Sequence, residues 1–142
     1  MTDAAVQPDT VLLAERNDFV VAGLRELLGG VFTNVFVVSD AHSLLAGAAR
    51  LRPSVIVADL ATLGGDAAAA IRGLRADAHA PVIVLTQHDA PDVAKQLLDA
   101  GADGVVLKHR LAIDLLAAVD TVLERGRYVS SGIALKSLGS GR

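Results

Sequence analysis

Four apolar, strand-like runs in this chain end on polar residues able to do chemistry. Thr10-Val11-Leu12-Leu13-Ala14 runs into Glu15-Arg16, and Ser54-Val55-Ile56-Val57-Ala58 into Asp59. Pro81-Val82-Ile83-Val84-Leu85 runs into Thr86, and Gly104-Val105-Val106-Leu107 into Lys108. In an open parallel sheet, ligands and chemistry occupy the crevice beyond the carboxyl ends of the strands. Two carboxylates, a hydroxyl, an ammonium and a guanidinium are therefore expected along one edge. Capping or strand termination would account for any one of them. Coincidence at four strand ends is better explained by a shared charged site.

Other chemistries find little support. The histidines His42, His79, His88 and His109 lack metal-ligand spacing, which argues against a zinc centre or a hydrolase. No glycine-rich phosphate fingerprint follows the first strand, so dinucleotide binding is not expected. The chain has no cysteine, so thiolate metal sites and disulfides are excluded.

The elements that must position these residues follow from periodicity. After the first strand, Phe19, Val20, Gly23, Leu24, Leu27 and Leu28 recur at helical spacing behind a cap at Asn17 or Asp18, and Gly29-Gly30 stops the helix. Val35–Val38 reads as a short strand, and Ser39-Asp40 opens a helix that Arg52-Pro53 ends. The run into Asp59, unbroken and β-branched, reads as a central strand buried on both faces. Asp66 caps an alanine-rich helix from Ala67 to about Ala76, Pro91 opens the next, and Gly101 stops it. Leu111 to Glu124 forms the last helix, closed by Gly126. Five strands alternating with five helices predict an α/β fold with a doubly wound five-stranded parallel sheet.

A length of 142 residues suits one domain with its own core. Residues 1–9 read as a flexible lead-in, 10–126 as the domain, and 127–142 as a linker or tail. No apolar run approaches a membrane span and no signal peptide is evident, so a cytoplasmic protein without membrane association is expected. Net charge is −3, and the cations form no stripe that would bind nucleic acid directly.

On these residues the chain resembles a response-regulator receiver domain, the flavodoxin-like (βα)5 fold, over about Thr10 to Gly126. Asp59 after the third strand, Thr86 after the fourth and Lys108 after the fifth match the family's functional places, and Ala100-Gly101-Ala102-Asp103-Gly104 is similar to its loop before the fifth strand. The stretch from Val11 through Gly23-Leu24-Arg25-Glu26-Leu27-Leu28 looks most like the NarL/LuxR-type branch, whose receivers precede a helix-turn-helix output domain. The resemblance implies that Asp59 is the phospho-acceptor position for a histidine kinase, with Thr86 and Lys108 contacting the phosphoryl group. A carboxylate attacking phosphorus must overcome charge repulsion, so such sites work by positioning and electrostatic stabilisation.

The acidic pocket departs from that pattern. Where the family has two adjacent acidic residues this chain has Glu15 and Arg16, so a direct metal ligand is replaced by a permanent cation. Repulsion between unit charges about 4 Å apart is on the order of 4 kcal/mol at an effective dielectric near 20, and a divalent ion would feel more. Arg16 either stays solvated at its loop or reaches Asp59 in a charge-assisted pair. The pair is the expectation, because guanidinium suits carboxylates and the strand ends are adjacent. Thr62-Leu63 replaces the usual Met-Pro after Asp59, and Val105 replaces the usual aromatic of the fifth strand.

These readings predict an atypical receiver of a transcription regulator, not an enzyme and without a cofactor or metal, working by dimerisation or partner binding with little dependence on phosphorylation. Its homodimer or partner faces would be the helices over 93–101 and 111–124. DNA would be reached only through an output domain beyond this chain. The alternative is a magnesium-dependent phospho-acceptor at Asp59 served by a histidine kinase, and a further one a small-ligand-sensing module.

Overall fold

The computed structural model describes residues 10–133, so the expected lead-in over 1–9 and the tail beyond 133 lie outside the described residues. The strands are β1 (Thr10–Ala14), β2 (Asn34–Val38), β3 (Val55–Asp59), β4 (Val82–Thr86), β5 (Gly104–Leu107) and β6 (Tyr128–Val129). Between them run α1 (Asp18–Leu28), α2 (Ala41–Leu51), α3 (Ala67–Ala78), α4 (Pro91–Asp99) and α5 (Leu111–Leu123). All strand pairs are parallel, in the order β2-β1-β3-β4-β5-β6.

Strand alternation divides the core into two layers. Leu12, Ile56 and Val84 face the side packed by Leu44, Ile71, Leu74 and Leu97 of α2, α3 and α4. Val11, Leu13, Val57, Ile83 and Val106 face the side packed by Leu24 and Leu28 of α1 and Leu115, Val119 and Val122 of α5. β3 and β4 are buried along their whole length, which is why their sequences read as continuous apolar runs. Each fully buried aliphatic side chain contributes roughly 1.5–3 kcal/mol relative to exposure.

Local signals set the element ends. The Asn17 side chain accepts the Phe19 and Val20 N–H groups at 2.9 and 3.2 Å, so Asn17 rather than Asp18 caps α1. Asp40 and Asp66 cap α2 and α3 through the N–H groups of Ser43 and Ala69. Gly101 stops the chain after α4 with φ +117°, a conformation that L side chains rarely adopt.

The sheet has six strands where periodicity predicts five. Tyr128 and Val129 pair with Gly104 and Val105, and two residues are too few to carry a period of their own. What recruits them is hydrogen bonding from neighbours distant in sequence: Tyr128 N–H donates to Asp103 O at 3.0 Å and Ser130 N–H to Val105 O at 2.9 Å. α3 also runs two residues past its expected end, to Ala78, before His79 turns left-handed with φ 60°.

Candidate functional site

The carboxyl ends of β1, β3, β4 and β5 meet at one edge, as the topology requires. β3 delivers Asp59 at its last residue, and β4 delivers Thr86 one register position beyond the Asp59–Leu85 pair. β5 ends at Leu107, and Lys108 opens the short 3-10 turn that follows. Glu15 comes one residue after β1, where its N–H still bonds Val38 O at 3.1 Å.

Lys108 is the hub. Its Nζ lies 2.9 Å from Asp59 Oδ1 and 3.0 Å from Glu15 Oε1, with all three side chains largely buried. Burial by itself would lower the Lys108 pKa, but the two carboxylates of Asp59 and Glu15 held against the ammonium outweigh it and raise the group above its ordinary 10.5. Glu15 Oε2 accepts the Asn17 N–H at 3.0 Å. Oε1 is buried and faces the ammonium without an aligned hydrogen bond, so its compensation is chiefly coulombic.

The second oxygen of Asp59 has a partner that sequence reasoning passed over. Thr62 Oγ1 donates to Asp59 Oδ2 at 3.4 Å, and both residues are buried. The Thr62-Leu63 departure reads from sequence only as a loss of proline rigidity. The usable signal was a hydroxyl three residues past Asp59, within a 3-10 turn over Leu60–Leu63 that folds it back. Thr86 Oγ1 accepts the His88 N–H at 3.0 Å, which leaves its own hydrogen free to donate. Asp59, Thr86, Gln87, His88 and Lys108 line a cavity of about 200 Å³ open to solvent.

Arg16 is not part of this cluster, and the expected Arg16–Asp59 pair does not form. Its Nε donates to Ser39 O at 3.1 Å, at the end of β2. β1 lies between β2 and β3, and its two terminal polar side chains leave on opposite sides, Glu15 toward Lys108 and Arg16 toward β2. Asp40 next to it has a carboxyl held below its ordinary value, chiefly by the Ser43 N–H bond, with a smaller contribution from Arg16. The cation that neutralises Asp59 is Lys108.

Two carboxylates converge and an ammonium already sits between them. Among the described residues no three His, Asp or Glu side chains are grouped to hold a metal, and the position of the missing acid carries Arg16.

Comparison with known proteins agrees with the fold. Residues 11–120 match the family described as response regulator receiver domain. The chain is 34% identical over 140 residues to the transcriptional regulatory protein UhpA of Escherichia coli, covering 94% of this chain and 67% of UhpA. It is 32% identical over 131 residues to a nitrate/nitrite response regulator protein homolog of Haemophilus influenzae, covering 89% of this chain and 59% of that protein. The chain thus spans little more than half to two thirds of the length of these relatives. A two-component response regulator of the LuxR family from Aurantimonas superposes with a TM-score of 0.83 at 25% identity, covering 94% of this chain and 97% of the other.

Proposed function

The chain belongs to the response regulator receiver domain family, and from that premise we propose that it is an atypical receiver of a transcription regulator, one whose output depends little on phosphorylation. One observation carries this reading: Lys108 closes a three-way ion cluster with Glu15 and Asp59. With Arg16 in place of the second acid, the pocket supplies the acceptor its positive charge from the chain itself. Dimerisation or partner binding then sets the output, and DNA is reached through an output domain beyond this chain.

The partner face follows from exposure. Of the two helices expected to meet partners, α4 turns Asp92, Lys95, Gln96 and Asp99 outward, with Lys95 and Asp99 paired at 2.7 Å. α5 exposes Ile113 and Leu116, and the neighbouring α1 exposes 92% of Phe19. Phe19 shares an apolar groove with Leu111 and Ala112 at the start of α5, and exposed apolar side chains of this size suit an interaction surface. We assign the interface to α5 together with the start of α1.

A second reading, phosphoryl acceptance at Asp59 from a histidine kinase with magnesium support, is favoured by the cavity that Asp59, Thr86 and Lys108 share. Incubation with a small-molecule phosphodonor in magnesium, followed by intact mass, separates the two. The first reading expects no stable phosphoryl gain and an oligomeric state unchanged by the donor. A stable gain of one phosphoryl group that is lost in Asp59→Asn would establish the second and sink the first.

A further inference from the structure

Away from the acidic pocket, Asp114 holds a network that the phospho-acceptor chemistry does not use. It lies in the first turn of α5 and is buried. Oδ2 accepts from Arg110 Nε at 2.9 Å and from Ser130 Oγ at 2.7 Å. Oδ1 accepts from the Tyr128 hydroxyl at 2.8 Å and from an Arg110 terminal nitrogen at 3.5 Å. Burial alone would raise the Asp114 carboxyl, but the bonds from Arg110, Ser130 and Tyr128 prevail and hold it below its ordinary value. A buried carboxylate is costly, and an apolar residue of similar volume would serve packing at least as well. What this one adds is a fixed position for the chain that leaves the sheet.

That outgoing chain is bound along the strand that delivers Lys108. Ser130 is fully buried, and its Oγ accepts the N–H of Leu107, the last residue of β5 and the covalent neighbour of Lys108, at 2.9 Å. Ile133 is also fully buried and packs in the same core layer as Val105 and Leu107. Gly132 passes so close that a Cβ there would lie 2.7 Å from Leu107 Cδ1. One short path therefore runs from the Lys108 ammonium, through the Leu107 amide and the Ser130 hydroxyl, to Asp114 and the segment 128–133.

We propose that Asp114 and Ser130 form a latch that couples the grip of Lys108 on the acidic pocket to the docking of the outgoing segment 128–133. When another group draws the ammonium away from Glu15 and Asp59, the end of β5 shifts and the Leu107–Ser130 bond weakens, so the segment is released. Coupling between two sites is reciprocal, so loosening the latch must also alter Lys108. The latch works whether a phosphoryl group or a protein partner engages the pocket, and so stands apart from the function proposed above.

Amide hydrogen exchange and side-chain NMR on the whole chain test it. In Lys108→Met, the amides of Leu107, Ser130 and Ile133 are expected to accelerate at least tenfold more than those of Leu12 and Val57 in β1 and β3. In Ser130→Ala, the Lys108 Cε resonance is expected to move while that of exposed Lys95 stays in place. A latch that merely ties down the segment would loosen 128–133 in Ser130→Ala without moving Lys108, and that result overturns the proposal. Should Lys108→Met fail to fold, Ser130→Ala and Tyr128→Phe decide the question through the Lys108 resonance alone.

Discussion

The ammonium of Lys108 stands 2.9 Å from Asp59 Oδ1, and the same nitrogen reaches Glu15 at 3.0 Å. One cation thus neutralises two buried acids drawn from strands that do not pair with its own. Removing one partner of a buried ion pair leaves an uncompensated charge and costs about 3–5 kcal/mol. Lys108→Met is expected to lose about that much in urea denaturation. Lys108→Met combined with Asp59→Asn should recover part of the loss, because one of the two orphaned charges is gone; a double variant no more stable than the single one would contradict the cluster.

Arg16 is solvent-exposed and bonds only the carbonyl of Ser39 among the described residues. Arg16→Asp should therefore change stability by no more than about 0.5 kcal/mol, as surface changes usually do. It also supplies a second acid beside Glu15 and removes a cation from the end of β1, both of which favour a dication. Isothermal titration with magnesium is expected to show an affinity gain of at least about tenfold, each factor of ten being 1.4 kcal/mol. Unchanged affinity would mean that Lys108 alone closes the pocket.

Thr62→Val keeps the shape of a buried side chain and deletes the hydroxyl that donates to Asp59 Oδ2. A net hydrogen bond of this kind contributes about 1 kcal/mol. Thermal unfolding should register a loss of about that size, and Thr62→Ser should restore most of it. No loss in Thr62→Val would mean that the hydroxyl contributes nothing to stability.

Stability is expected to fall at both ends of the pH scale for different reasons. The Asp114 carboxyl is lowered on folding, so its contribution is present above its ordinary 3.8 and disappears as pH drops through the lower folded value. Lys108 is raised on folding, so its contribution is complete below 10.5 and disappears as pH climbs through the higher folded value. The Tyr128 hydroxyl, raised by burial and by its bond to Asp114, adds to the alkaline loss above 10.0. Chemical denaturation across pH should show Asp114→Asn flattening the acid limb and Tyr128→Phe flattening part of the alkaline limb.

Phe19 is 92% exposed and Ile113 is 67% exposed. Substituting both with Ser removes two apolar side chains from water and should leave folding stability within about 0.5 kcal/mol. If α1 and α5 form the proposed interface, sedimentation velocity on the double variant will show monomer under conditions where the parent chain associates. Association that persists would move the interface elsewhere, with α4 the next face to test by charge reversal at Lys95.

Much of this molecule could be read directly from its residues. The β-branched run into Asp59 reads as a central strand, because burial on both faces suits the four apolar residues Val55–Ala58, which no polar residue interrupts. Once five alternating strands and helices are granted, chain connectivity brings Glu15, Asp59, Thr86 and Lys108 to one edge, and the structure places them there. Asp114 had a legible trace as well: it falls in line with Leu115, Ala118 and Val122 on the buried side of α5, where an acid needs a partner.

Other features depended on neighbours far apart in the chain. Whether Arg16 joined Asp59 rested on which side of β1 its guanidinium left, and a one-residue rotation beyond the strand end sent it to Ser39 instead. The sixth strand has only two residues and no period of its own, so it exists because Asp103, Val105 and Asp114 offer it partners. Sequence by itself determined the layering and the edge, since burial patterns are local and repeat along each element. Only the tertiary structure decided which cation holds Asp59 and where the outgoing chain is tied, because those choices are settled by side chains meeting across strands that the sequence places dozens of residues apart.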